Sequence, residues 1–220
     1  MANFYKKSHQ LGRSMIEMLG VLAIIGVLSI AGIAAYSQAM FKYQLTTQAE
    51  AFNMLLQRAI ELLPTLQREF GRKIASGGQK VERIMAEAEM LPNGIFYNPQ
   101  TKQIHDVFKN IINISYSHSN HSGGGSSTDY YFWITMNRNE KTITERDRAI
   151  CRNIMQAAQQ NADNIRWIEM RSSADSGYSA PSLSGKRLRE AGIAEIDQVC
   201  NSCNSQSSCA IVLYISVTCH

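Results

Sequence analysis

The sequence predicts an α+β protein, with one long N-terminal helix followed by a domain that mixes helices and strands. Three observations lead there. Glu17 is followed by a charge-free apolar run from Met18 to about Ala35, long enough as a helix, at about 1.5 Å per residue, to cross most of a bilayer. Beyond Tyr36 apolar residues recur at helical spacing: Leu45, Ala49, Phe52, Leu56, Ala59 and Leu63. Further on, period-two and β-branched or aromatic runs alternate with another helical pattern, which places strands and helices in the same domain.

The apolar run is the first element. A lone carboxylate at its head costs about 2.5–3.5 kcal/mol on insertion scales, so Glu17 calls for a use. Lys6, Lys7 and Arg13 precede the run, which keeps the N-terminus cytoplasmic and sends the rest outward. Two plainer readings compete. A secretory signal has an apolar core of only about 7–15 residues, although Ala34, Ala35 and Ala39 could mimic its cleavage site. A permanent anchor carrying a periplasmic binding domain explains the length but not Glu17.

The amphipathic stretch continues the same helix. Thr46, Gln48, Glu50, Asn53, Gln57 and Glu61 occupy the faces away from the apolar stripe, as on a helix that packs one side on a core. Read as one element, Ser14–Leu63 is a rod of roughly 75 Å, and Pro64 is where it should break or kink. Gly20, Gly26 and Gly32 are tolerated in a membrane helix.

From Gly77 a second helix is expected, with Val81, Ile84, Met85, Ala88 and Leu91 on its apolar face and Pro92-Asn93-Gly94 as its stop. Turns around Tyr97-Asn98-Pro99 lead to a strand over Ile111–Ser117, where Ile112, Ile114 and Tyr116 alternate with polar residues. Asp129–Met136 is a second strand, and the Gly/Ser-rich segment Ser119–Thr128 is the hairpin loop between them. Thr144 caps a helix whose apolar face is Ile150, Cys151, Ile154, Met155 and Ala158. Ile165–Met170 is a strand with Ile168 and Met170 on the same face as Arg166 and with Trp167 opposite. Ser172–Gly185 is a long loop, and Ala210–Val217, apolar on both faces, is a central strand.

No enzyme constellation is present: no Gly-rich phosphate loop, no His-Glu-x-x-His and no Gly-x-Ser-x-Gly elbow. His105, His118 and His121 have no Cys, Asp or Glu at ligand spacing, so they are read as solvated and neither metal nor cofactor is expected. The net charge of +4 is spread, with its clearest cluster beside the membrane segment, which does not suggest nucleic acid. Five cysteines, four of them in the last 21 residues, fit an oxidising compartment.

Gly12-Arg13-Ser14-Met15-Ile16-Glu17 and the apolar run to Tyr36 resemble the processing site of type IV prepilins and pseudopilins. There a basic leader ends in Gly, Glu follows at fixed spacing, and an apolar helix continues. The match departs at Arg13, where the family usually starts with Phe or Met. The resemblance implies a leader over residues 1–12 and cleavage between Gly12 and Arg13 by prepilin peptidase. It implies an N-terminal helix over 13–63, with about 15–36 as transmembrane segment and later fibre core, and a globular head over 64–220 built on an antiparallel sheet. Glu17 becomes an assembly residue, neutralising the new α-amino group of a neighbouring subunit. The partners implied are other pilin subunits, alike or different, the peptidase, the inner-membrane assembly platform and the membrane. The implied location is the bacterial inner membrane before assembly, and a periplasmic or cell-surface fibre after it.

The order of elements after the helix is similar to the type IVb pilins, the group of bundle-forming and conjugative thick pili. There a helix cysteine is bridged to one ahead of the final strand, which implies Cys151–Cys200. Cys200, Cys203, Cys209 and Cys219 could also supply four thiolates to zinc, but they lack ribbon-like spacing. The expected second bridge is Cys203–Cys209, with Cys219 free or paired between subunits, out of about 15 possible connectivities.

Overall fold

In the computed structural model the described residues are 11–70, 79–120, 126–136, 144–172, 181–202 and 209–217. The chain divides into two compact units, Met1–Tyr43 and Gln44–His220. Helix α1 (Leu11–Phe70) contributes to both. It runs through Pro64 to Phe70, so the break expected at that residue is not there. Pro64 is exposed, whereas Leu63 and Leu66 on either side are buried. Apolar burial holds the helix together across the one hydrogen bond a proline removes.

The second unit is built on a sheet. Its strands are β1 (Gln79–Lys80), β2 (Phe96–Asn98), β3 (Gln103–His105), β4 (Ile111–Asn120), β5 (Ser126–Met136), β6 (Ile165–Ser172), β7 (Ser182–Ser184) and β8 (Cys209–Val217). Their order is β2-β3-β4-β5-β8-β6-β7, with β1 added beside β4, and every described pairing is antiparallel. The last strand lies between β5 and β6, the central place its two apolar faces predict. Register brings Ile114, Phe132 and Leu213 into one row and Ile112, Ile134 and Ile211 into the next. All six are buried, as alternation requires of the face turned to a core.

The second half of α1 covers that face. Phe52, Leu55, Leu56, Ala59, Leu63 and Leu66 are buried, and the Phe52 ring meets Phe132 edge-on, with centroids 6.5 Å apart. Each of the leucines and Phe52 contributes about 1.5–3 kcal/mol. The result is an α+β unit in which a long N-terminal helix packs on an antiparallel sheet. Gly94 lets the turn before β2 come close to the helix. It has φ 93°, and a Cβ there would stand 3.0 Å from Thr47 Cγ2 and 3.2 Å from the Ala51 Cβ.

Several elements differ from the sequence reading. The second helix shrinks to α2 (Glu82–Glu87), preceded by β1. It ends because Glu89 takes φ 54°, while Met90 N–H donates to the Met85 carbonyl (2.8 Å) and Glu89 N–H to that of Ala86 (3.2 Å). This is the Schellman pattern, made here without glycine and so without a sequence signal. The two hairpin strands extend into the Gly/Ser-rich segment, pairing as far as Asn120 with Ser126, which leaves only 121–125 outside the described residues. The register shifts between Ile165 and Trp167, so Arg166 is the extra residue of a bulge and does not share the face of Ile168 and Met170. Its guanidinium lies 4.7 Å from the Trp167 ring centroid instead.

The segment expected to be a loop holds β7 and the start of α4 (Gly185–Glu190), and α5 (Ile193–Cys200) follows. Both helices are too short for a clear period. Helix α3 (Glu145–Gln159) matches its reading. Thr144 accepts from Asp147 N–H (3.2 Å), and the Asp147 carboxylate accepts from Thr144 N–H (2.9 Å), which closes a capping box.

Candidate assembly helix and its seat in the head

Within the first unit, α1 is helical from Leu11, so Gly12 and Arg13 lie in its first turn. Residues 1–10 and the side chains of residues 11–14 fall outside what is described. From Met15 to Tyr36 every described side chain is exposed, among them Ile16, Met18, Leu22, Ile25 and Leu28. Glu17 is exposed among them and has no ion-pair or hydrogen-bond partner among the described residues. The Ser29 hydroxyl donates to the Ile25 carbonyl at 2.7 Å, so the one hydroxyl in mid-run is satisfied by its own helix. Among the described residues this is the one helix long and apolar enough to cross a membrane. An exposed apolar surface of this extent is stable only in lipid or against other protein.

Within the second unit, polar tethers flank the apolar stripe of α1. Asn153 of α3 donates through Nδ2 to the Leu45 carbonyl (2.8 Å) and to Gln48 Oε1 (3.0 Å). Gln48 Nε2 donates in turn to Asp106 Oδ2 (2.5 Å). Asp106 also accepts from the N–H groups of Phe108 (2.9 Å) and Asn110 (2.8 Å) and from Asn110 Nδ2 (2.8 Å). Burial pushes the Asp106 carboxyl up from its ordinary value, and the hydrogen bonds from Asn110 and Gln48 oppose that without overcoming it. Further along α1, Asn53 bonds Asn161 and Gln160, and Arg58 donates to the Met90 carbonyl (2.9 Å).

Cys151 of α3 is joined to Cys200 of α5, with their Cα atoms 5.8 Å apart. One turn away, Arg152 Nε stands 2.8 Å from Asp197 Oδ1, an ion pair about one-third exposed on each side. Cys209, the first residue of β8, is also disulfide-bonded. Cys203 and Cys219, the two cysteines left to pair with it, lie outside the described residues. The loop histidine His121 lies there too, as does the side chain of His118. His105 is in β3, half-buried.

Two other polar groups are buried. Glu82 Oε1 accepts from Ile114 N–H (2.9 Å), its Oε2 has no partner among the described residues, and burial raises its carboxyl above the ordinary range. On the sheet face turned away from α1, Arg171 pairs with Glu169 and donates to Tyr214 Oη (2.6 Å). Its guanidinium also lies over the Trp133 and Tyr214 rings. The sequence places Gln48 on the faces away from the apolar stripe, but it is buried at 1% exposure, because Asn153 and Asp106 satisfy its amide there; Asp106 is not singled out by the sequence at all. A polar residue on the rim of an amphipathic stripe and an aspartate before a turn carry no distinctive signal apart.

The second unit is thus of the α+β class, the later half of a long N-terminal helix packing on an antiparallel sheet. Among solved structures, the chain is similar to a type IVb pilin from Salmonella typhi, at 11% identity, over 76% of this chain and 97% of that one, with a TM-score of 0.43. No family model matches the sequence, and no curated protein matches it.

Proposed function

We propose that this chain is a structural subunit of a type IV pilus or pseudopilus, cut after Gly12 by a prepilin peptidase and polymerised through its N-terminal helix. The observation that carries the reading is the exposed apolar surface from Met15 to Tyr36 with Glu17 at its head. In the membrane that surface faces lipid; in a fibre it faces the same helix of other subunits. Cleavage leaves an α-amino group on Arg13, four residues before Glu17. A carboxylate taken out of water needs a partner, and the α-amino group of a neighbouring subunit supplies one. The disulfide-braced second unit then forms the outer part of the fibre.

The first test is the intact mass of membrane-extracted protein from hosts with and without a prepilin peptidase. Loss of residues 1–12 only where the peptidase is present supports the reading. An uncut chain in both hosts favours a permanently anchored binding domain. A cut beyond Ala34 in both means a secreted module, and the assembly account fails.

A further inference from the structure

Ahead of the fully buried apolar stripe of α1, the turn Leu45–Gln48 is joined to α3 and to the β3–β4 turn by polar contacts. In chain order, the first buried side chain of α1 among the described residues is Gln48; Leu45 and Ala49 beside it are only half-buried, and full apolar burial starts at Ala51 and Phe52. The second compact unit itself begins at Gln44. Gln48 and Asp106 are 1% and 3% exposed, and their contacts join α1, α3 and the β3–β4 turn. We infer that Asp106 is a positioning residue that, through Gln48 and Asn153, clamps the turn Leu45–Gln48 of α1 to the head.

The chemistry of the contact requires a carboxylate. Asp106 Oδ1 takes two backbone N–H groups, and Oδ2 takes two side-chain amides. Every neighbour is a donor, so an NH2 group in place of either oxygen would face two donors. The orientation of Gln48 is set from the far end, because Asn153 turns its NH2 to both the Leu45 carbonyl and Gln48 Oε1. That leaves Gln48 Nε2 pointing at Asp106. The relay therefore has one polarity, from the carbonyl of α1 through Asn153 and Gln48 to Asp106. The clamp lies wholly within the second unit and does not rest on the fibre reading.

The test is amide hydrogen exchange on the full unassembled chain in detergent micelles, comparing wild type with Asp106→Asn and Gln48→Met. Exchange over residues 45–51 should accelerate about tenfold, while 55–66 and strands β5 and β8 stay as in wild type. No change over 45–51, or the same acceleration throughout the head, overturns the clamp. Gln48→Met leaves the other three hydrogen bonds of Asp106 in place, so it decides the matter if Asp106→Asn fails to fold. The measurement uses unassembled protein, so its failure and a failure to form fibres are read separately.

Discussion

A Cβ at Gly185 would stand 1.9 Å from the Ile165 carbonyl oxygen and 2.5 Å from that of Ala162. Both obstacles are backbone, so nothing flexible can give way, and α4 would have to lift off β6. Gly185→Ala is expected to destabilise the head by about 1–3 kcal/mol, read as a lower urea midpoint; an unchanged midpoint would show that α4 shifts freely enough to admit the methyl group. Glu82 makes a second prediction at this scale. Its raised carboxyl holds its proton more tightly in the folded chain than in the unfolded one. The stability it contributes is therefore full below the ordinary glutamate range and lost as pH rises through the folded value. Glu82→Gln keeps an acceptor for Ile114 N–H and carries no charge. Urea midpoints followed from acid to neutral pH should fall less steeply in the variant, with the remaining slope owed partly to Asp106. Parallel slopes would show that Glu82 titrates alike in both states.

Helices α3 and α5 are tied twice, by Cys151–Cys200 and by Arg152–Asp197. The two ties differ in weight. The disulfide spans 49 residues, for which the chain-entropy model gives about 4 kcal/mol. The ion pair is partly exposed and is worth on the order of 0–1 kcal/mol. The Cys151→Ser/Cys200→Ser double variant should lose most of the larger figure, and Arg152→Ala almost nothing, in the same denaturant titration. Equal losses would contradict the assignment. Reduction with thiol is a poorer experiment, because it also opens the bridge at Cys209.

For the whole molecule, the division at Tyr43/Gln44 separates what holds the head together from what would hold a fibre together. Glu17 lies in the first unit, and the apolar core lies in the second. Glu17→Ala should therefore leave the thermal midpoint of the head within error of wild type while abolishing incorporation into fibres, scored by shearing and sedimentation. A variant that assembles normally removes Glu17 from the assembly role. A variant with a lowered midpoint makes the assembly result uninterpretable as a contact between subunits.

The sequence by itself determined the parts whose signal is periodic or local. A charge-free run, a stripe at steps of three and four, two-residue alternation at Ile112–Tyr116 and a Thr–Asp box at α3 are each readable without knowing what lies opposite. Tertiary structure decided the rest. Pro64 stays helical because Leu63 and Leu66 are buried beside it. Glu89 ends α2 in a conformation usually left to glycine. Arg166 leaves the alternation at a bulge, and β7, α4 and α5 gain order only where β6 and α3 meet them. The carboxylate at 106 is the clearest case: its four donors come from its own turn and from α1, 58 residues away in sequence. Contacts of that separation form only when the chain has folded, because their reward depends on a partner that local propensity does not specify.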